Sequence, residues 1–438
     1  MKRYDSYKDS GIEWLGEIPN HWEVKRLSWC FGLIGSGTTP KADNDEYYSD
    51  GKLNWLLTGD LNDGEVWETS KKITQKALDD YSILKEYPEN SLVIAMYGAT
   101  IGKLGLLKLQ TTVNQACCVL AKPTHLNNTF AFYSLLAARI EIINMSYGGG
   151  QPNISQELIK SFRTPIPTLA EQTAIASFLD RKTTEIDQLI ANKKRLIELY
   201  EEEKTAIINQ AVTKGIDPDV KLKDSGIEWL GEIPEHWEVK RLKHIVSKVG
   251  SGITPSGGAA VYQQSGIPLL RSQNIHFEGI KLDDVAYISE EIHEGMNNSK
   301  VISGDVLLNI TGASIGRVYF VNETLGDANV NQHVCIIRPR KNILSKYLYL
   351  IFRSNIGQEQ IRREQTGSGR EGLNFESIKN FFIPLVDLTE QNAIINYIDE
   401  KCSYFDTQIS KTKKLIDLLT EYRTTLISEV VTGKIKVV

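Results

Sequence analysis

A 20-residue phrase occurs twice in this chain, almost letter for letter. Residues 8–27 read KDSGIEWLGEIPNHWEVKRL and residues 223–242 read KDSGIEWLGEIPEHWEVKRL, so that only Asn20 and Glu235 differ. The copies lie about half a chain length apart in a protein of 438 residues. A repeat of that period means a tandem duplication, and each half constrains the reading of the other. Each half runs in the same order: the Trp-rich phrase, a stretch of mixed strand and helix pattern, then a long amphipathic helix.

The helices are the plainest local signal. Pro165 and Pro167 break the preceding structure, and Thr168 stands three residues before Glu171, the spacing of a capping box. In the second half Asp387 stands three before Glu390, after Pro384. Apolar residues then recur at helical spacing: Ile175, Leu179, Ile186, Leu189, Leu196 and Tyr200 in one, Ile394, Ile398, Phe405, Leu415 and Leu419 in the other. Gly215 and Gly433 stand where a left-handed stop belongs. Each helix is expected to run about 42 residues, or about 63 Å at the standard rise. Lys193 and Thr412 interrupt the apolar stripe, which predicts an irregular antiparallel pair rather than a strict zipper.

Between phrase and helix the pattern is α/β. Residues 91–95 and 306–310 are short β-rich apolar runs, each followed by a glycine turn and another strand pattern, while residues 130–145 and 344–364 read as helix. The two halves agree here only at anchors. IGSGTTP (34–40) pairs with VGSGITP (249–255), and GATIGK (98–103) with GASIGR (312–317). Asn114-Gln115 pairs with Asn331-Gln332, and Asn153-Ile154 with Asn374-Phe375. A duplication aged uniformly would leave all parts equally alike. Alike flanks around unlike interiors imply one kind of partner for the flanks and different ligands for the two interiors.

Composition mainly excludes. A hydrophobic fraction of 41% with 24% charged residues is that of an ordinary globular protein. No apolar run is long enough to span a membrane, and the N-terminus lacks the apolar core of a signal peptide. Five cysteines cannot all pair, and Cys117, Cys118 and Cys335 sit in apolar runs, which predicts reduced, buried thiols in a cytoplasmic protein. The net charge of −5 gives no global support for nucleic-acid binding.

The phrase GIEWLGEIP-x-HWEVKRL, the G-S-G-x-T-P turn, and the helix start Pro167, Glu171, Gln172, Ile175 together resemble the specificity subunit of prokaryotic type I restriction–modification systems. The resemblance covers essentially the whole chain, including its internal repeat. It implies two α/β target-recognition domains, each reading half of a bipartite sequence in double-stranded DNA, separated by two long antiparallel coiled-coil-like helices with an internal pseudo-two-fold repeat. It further implies two docked modification (adenine methyltransferase) subunits, with restriction (endonuclease and translocase) subunits joining them. No cofactor is expected on this chain: S-adenosylmethionine belongs to the modification subunit, ATP and Mg to the restriction subunit. The corresponding segments are 1–27 (arm), 28–167 (first recognition domain), 168–215 (spacer helix), 216–242 (second arm), 243–386 (second recognition domain) and 387–438 (second spacer helix). The spacer helices would set the half-site gap like a ruler.

Neither interior stretch is basic. Residues 28–163 carry 12 Lys and Arg against 14 Asp and Glu, and residues 243–382 carry 15 against 13. DNA contact must then come from local groups and direct base readout. Arg271, Gln273 and Asn274 can pair with base edges, as can Gln151 and Asn153 in GGGQPN, and Arg370 and Asn374 in GSGREGLN. Asn153 and Asn374 also precede short helices and read equally as caps. Lys103 and Arg317, at matched turns, suit a phosphate; Arg353, Arg362, Arg363 and Arg370 form a candidate basic cluster or a solvated helix face. The shared GSG turns are better read as structural. The Trp-rich phrases suit a local core or partner docking, and the helix stripes Ile175, Leu179, Ile186, Leu189, Leu196, Ile394, Ile398, Phe405, Leu415 and Leu419 suit docking of the modification subunit.

Enzymatic readings fail on the residues. GATIGK is one residue short of a phosphate-binding loop and lacks its Ser or Thr. The seven histidines show no metal-ligand spacing. Glu23-x-Lys25 and Glu238-x-Lys240 are nuclease-like triplets with no upstream Asp at a convincing place. The rival from another class is a two-lobed protein-binding scaffold without DNA specificity.

Overall fold

A computed structural model describes residues 2–145, 153–365 and 372–437. Two compact units emerge, Met1–Lys194 with Lys414–Val438, and Arg195–Lys413. The division cuts across both long helices, so each unit takes the end of one helix and the start of the other.

In the first unit a five-stranded sheet runs in the order Phe31–Gly35, Cys117–Pro123, Leu92–Ala95, Leu104–Leu107, Gly64–Val66. Its inner strands are apolar and buried wherever both faces are covered, and only the end of Cys117–Pro123 is exposed. Leu92, Ile94, Cys118 and Leu120 face a helical core with Phe130, Ile175 and Leu179, whereas Val93, Ala95, Cys117 and Val119 face Leu56 and Val113 of a second, three-stranded sheet. The second unit repeats this plan. Val246–Ser251, Val334–Pro339, Val306–Asn309 and Val318–Phe320 form the main sheet, and Ile267–Leu270 with Ala328–Val330 centre the other. Both expected β runs are therefore central or near-central strands. The expected helices at 130–145 and 344–364 each break in two, as Asn128–Ala137 with Arg139–Asn144, and Ser345–Arg353 with Asn355–Glu364. Burial on such central strands pushes the thiols of Cys118 and Cys335 up to about 12, far from a reactive thiolate.

The long helices span Leu169–Lys214 and Leu388–Val431. At the first start the capping box forms as spaced: Glu171 N donates to Thr168 Oγ1 (3.3 Å) and Thr168 N to Glu171 Oε2 (3.1 Å). The second end closes in a Schellman motif, with Gly433 at φ +76° and Lys434 N donating to Glu429 O at 2.9 Å. Gly215 has the same φ, +76°.

The repeated phrase explains itself here. Trp22 and Trp237 are wholly buried. Trp237 Nε1 and His236 Nε2 reach the two oxygens of Glu390 at 3.0 and 2.8 Å; His21 and Trp22 meet Glu171 at 2.9 and 3.5 Å. The same tryptophans take the opposite helix ends: Gly433 lies against Pro19 and Trp22, and Gly215 against Pro234 and Trp237. In each unit, then, one long helix starts where the other finishes, which makes the helices antiparallel. The adjacent Gln172 and Gln391 are fully buried and brace the segment before the short helices. Gln172 accepts from Asn127 N and donates to His125 O and Pro167 O; Gln391 accepts from Leu344 N and donates to Asn342 O and Val386 O. The Glu-Gln pair is thus a structural clip, with every polar group of the glutamine satisfied.

The clip has a pH consequence. Burial works to raise the Glu171 carboxyl, but hydrogen bonds from His21 and Thr168 outweigh it and hold the carboxyl below its ordinary range. A carboxylate depressed in the folded state stabilises above its unfolded value of 4.5 and loses that contribution as pH falls through the lowered value. Acid melts of wild type and Glu171→Gln should therefore converge below about pH 4 and separate above pH 5; parallel curves would show that the clip is energetically silent.

Candidate nucleic-acid interface

One end of each main sheet gathers the anchors that the halves share. The GSG turns fold against the second sheet. A Cβ on Gly37 would overlap the Val113 carbonyl, and one on Gly252 the Val330 carbonyl, so both positions admit only glycine. Asn114 and Asn331 turn the chain beside them, accepting from Ala116 N and His333 N, each at 3.1 Å. Thr39 Oγ1 donates to Gln115 Oε1 (2.6 Å), and Thr254 bonds Gln332 in the same way.

The matched Gly-Lys and Gly-Arg turns close the neighbouring hairpins. Gly102 and Gly316 have φ of +76° and +87°. Their carbonyls are held from outside, by Arg139 Nε at 3.0 Å and by Gln358 Nε2 at 3.0 Å. Lys103 and Arg317 follow these glycines, partly exposed, their side chains with no hydrogen-bonding or ionic partner among the described residues. Each is a cation on a braced turn.

The segment after the glycine-rich loops returns to the same end. Tyr97 bridges Asn153 and Thr311 bridges Gly372; Ile154 N donates to Met96 O and Leu373 N to Ile310 O. This register corrects the pairing of the halves by one residue. Asn153 corresponds to Gly372, and the counterpart of Asn374 is Ser155. Ser155 caps Gln156–Ser161 through Leu158 N, and Asn374 caps Phe375–Lys379 through Ser377 N at 2.8 Å. Asn374 is therefore a cap, whereas Asn153 is exposed and caps no helix among the described residues. Gln151 and Arg370 lie outside the described residues.

The loop of Arg271, Gln273 and Asn274 needs a larger correction. Asn274 is buried; it accepts from Arg271 N (2.9 Å) and donates to Lys281 O (2.9 Å). Asp60 does the equivalent work in the first unit, accepting from Leu57 N at 2.9 Å. Asn274 holds a turn and has no edge to offer a base. Gln273 Nε2 donates to Asp284 Oδ2 (2.6 Å) and Arg271 Nη2 to Asp284 O (3.0 Å), so both are already engaged within the chain. The arginine cluster also dissolves. Arg353 is tucked under Tyr349 Oη (2.7 Å), and Arg362 and Arg363 pair with Glu359 on their own helix.

The helix stripe divides by depth. Ile175, Leu179, Ile186, Ile394 and Ile398 are buried in the unit cores, and the expectation that they bind a partner is corrected: they hold the helices to the α/β bodies. Leu196, Phe405 and Leu419 are half-buried, Phe405 resting against Tyr200, while Leu189 and Leu415 are exposed, as are Leu199, Leu418, Tyr404 and Tyr422. Polar pairs set the helix register in each unit, Arg423 with Asp187 at 2.9 Å and buried Lys204 with Asp406 at 2.5 Å. Among the described residues no cluster of His, Cys, Asp or Glu could hold a metal ion, and no helix is long and apolar enough to cross a membrane.

Two α/β bodies on a shared frame, with unlike loops at one end and a long helix from each, define a modular recognition protein. The model of the type I restriction modification DNA specificity domain matches residues 19–199 and again 234–421, and the chain belongs to that family of specificity subunits. It is 25% identical to the MjaVIII specificity subunit of Methanocaldococcus jannaschii over 96% of this chain and 94% of the relative. It is 29% identical to the MjaIX subunit of the same organism, over 92% and 93%. The fold matches a chain solved in work on assembly and conformational transition of the type I R–M system, with TM-score 0.73 at 15% identity over 95% of this chain and 99% of that one. The HsdS subunit from Thermoanaerobacter tengcongensis matches with TM-score 0.52, again at 15% identity, over 95% and 98%.

Proposed function

We propose that each α/β body reads one half of an asymmetric bipartite DNA target. The exposed apolar band of the long helices then docks two adenine-methylating modification subunits. The supporting observation is the contrast within the sheet ends: turns, caps and braces hold equivalent places in both units, while the side chains presented between them differ. A common frame with unlike fittings suits two readers of unlike sequences. On this reading the chain carries no catalysis of its own. S-adenosylmethionine serves the modification subunit, ATP and Mg serve a restriction subunit, and the assembly works in the cytoplasm of a prokaryote. Near-neutral bodies make phosphate attraction weak, so affinity comes from braced cations such as Lys103 and Arg317 together with partner contacts.

The test is selection of random duplexes by the chain assembled with its modification subunits. A split consensus supports the reading; retention without sequence preference favours the protein-binding scaffold, for which the net charge of −5 speaks. The spacer is tested separately. Removing residues 186–192, one heptad, should shorten the gap between half-sites or abolish assembly, because about 10 Å of helix is lost. An active complex with an unaltered gap would refute the ruler.

A further inference from the structure

We propose that Gln115 is a base-reading residue of the first unit, and that His333 withdraws its counterpart, Gln332, from that role in the second. The inference rests on the reading above and adds the residues that make the two half-sites differ. Gln115 and Gln332 occupy the same place: both follow a buried or half-buried asparagine turn, both are exposed, and both bond a threonine of the GSG turn through one end of the amide. They differ in the next residue. Ala116 follows Gln115 and is buried, leaving the Gln115 Nε2 amide without a partner among the described residues. His333 follows Gln332, and its Nε2 stands 3.1 Å from Gln332 Nε2.

The chain of contacts continues through the imidazole. His333 Nδ1 lies 2.6 Å from Thr311 Oγ1, and Thr311 begins the Gly-Arg turn that carries Arg317. With the Gln332 amide donating to Nε2, the ring proton sits on Nδ1 and donates to Thr311, whose hydroxyl hydrogen then points to solvent. With the amide reversed, Nε2–H donates to Gln332 Oε1 instead. Either way the Gln332 head group is held on two sides, by Thr254 and by His333. Tyr97 stands at the position of Thr311, so the first unit has no such relay.

A carboxamide held at its oxygen by Thr39, with two N–H donors unpartnered among the described residues, is suited to acceptors on a base edge; a glutamine that also uses its oxygen pairs with adenine. In the second unit, with the ring proton on Nδ1, the Thr311 hydroxyl hydrogen is the donor left over. His333 is a positioning residue: it acts through Gln332 and Thr311.

The experiment uses the chain assembled with its modification subunits and selection from a random duplex library, with binding measured at one salt concentration. Gln115→Ala should relax preference at one base pair of one half-site, lowering discrimination there roughly tenfold to a hundredfold, and leave the other half-site unchanged. His333→Ala should alter preference in the other half-site only, by freeing Gln332, whereas a merely structural histidine would weaken binding to all sequences equally. Gln115 is exposed, and thermal melts of Gln115→Ala should overlay wild type, so its result does not depend on the histidine variant folding. If wild type selects a split consensus and both variants select the same consensus with the same discrimination, this inference is overturned while the reader stands. If wild type selects none, the reading beneath it fails first.

Discussion

Replacing residues 28–163 by the equivalent body of a relative will change one half of the selected DNA sequence and leave the other half intact. The expectation follows from where the exchanged segment ends. Both ends abut a two-stranded pairing outside the main sheets, Glu23–Arg26 against Arg163–Ile166, which apart from Arg163 stays with the arm and helix. The residues that fix the body to its frame, Trp22, Glu171 and Gln172, remain untouched. What is replaced includes Gln115, Lys103 and the loops around them. Discrimination should shift by the several orders of magnitude that separate specific from non-specific sites. Selection from a random library reads the outcome directly, and a change in both half-sites would show that the bodies are not modular.

The largest effect on stability is expected at the repeated tryptophans. Trp22→Ala removes a wholly buried indole, its hydrogen bond to Glu171 and the surface on which Gly433 rests. Large-to-small changes of this kind cost about 3–5 kcal/mol, of the order of a domain's whole stability. Because Trp22 touches both the start of one long helix and the end of the other, the loss should release the C-terminal segment as well. That segment is otherwise tied by Tyr7 Oη to Gly433 O at 3.1 Å and by the Lys2–Lys436 bridge. Denaturant melts with limited proteolysis check it: early cleavage near residue 433 is expected, and a variant with wild-type midpoint and protection would remove Trp22 from the frame. Trp237→Ala should behave alike at Gly215.

Much of this frame is legible in the chain. Helix starts at Thr168 and Asp387, helix stops at Gly215 and Gly433, and the strands after residues 91 and 306 follow from short-range rules of capping, handedness and alternation. These act over four or five residues and need no knowledge of the rest. The repeat adds the long-range information that local rules lack, and it carries the family. The candidate contacts were less legible. Asn274 looks like a base reader in sequence and is a buried turn residue; Asn374 looks paired with Asn153 and is paired with Ser155. Ile175 and Ile394 share one helical stripe with Leu189 and Leu415 and yet face a core. Side-chain type sets what a residue can bond, but the partner that consumes the bond arrives from elsewhere in the chain.

From sequence alone came the duplication, the two stiff helices and the kind of protein this is, because periodicity and repetition survive without coordinates. Tertiary packing decided which polar groups are taken: His333 and Ala116 each follow an identical Asn-Gln pair, and only the three-dimensional position of the imidazole beside Gln332 and Thr311 occupies one amide, while the other has no partner among the described residues.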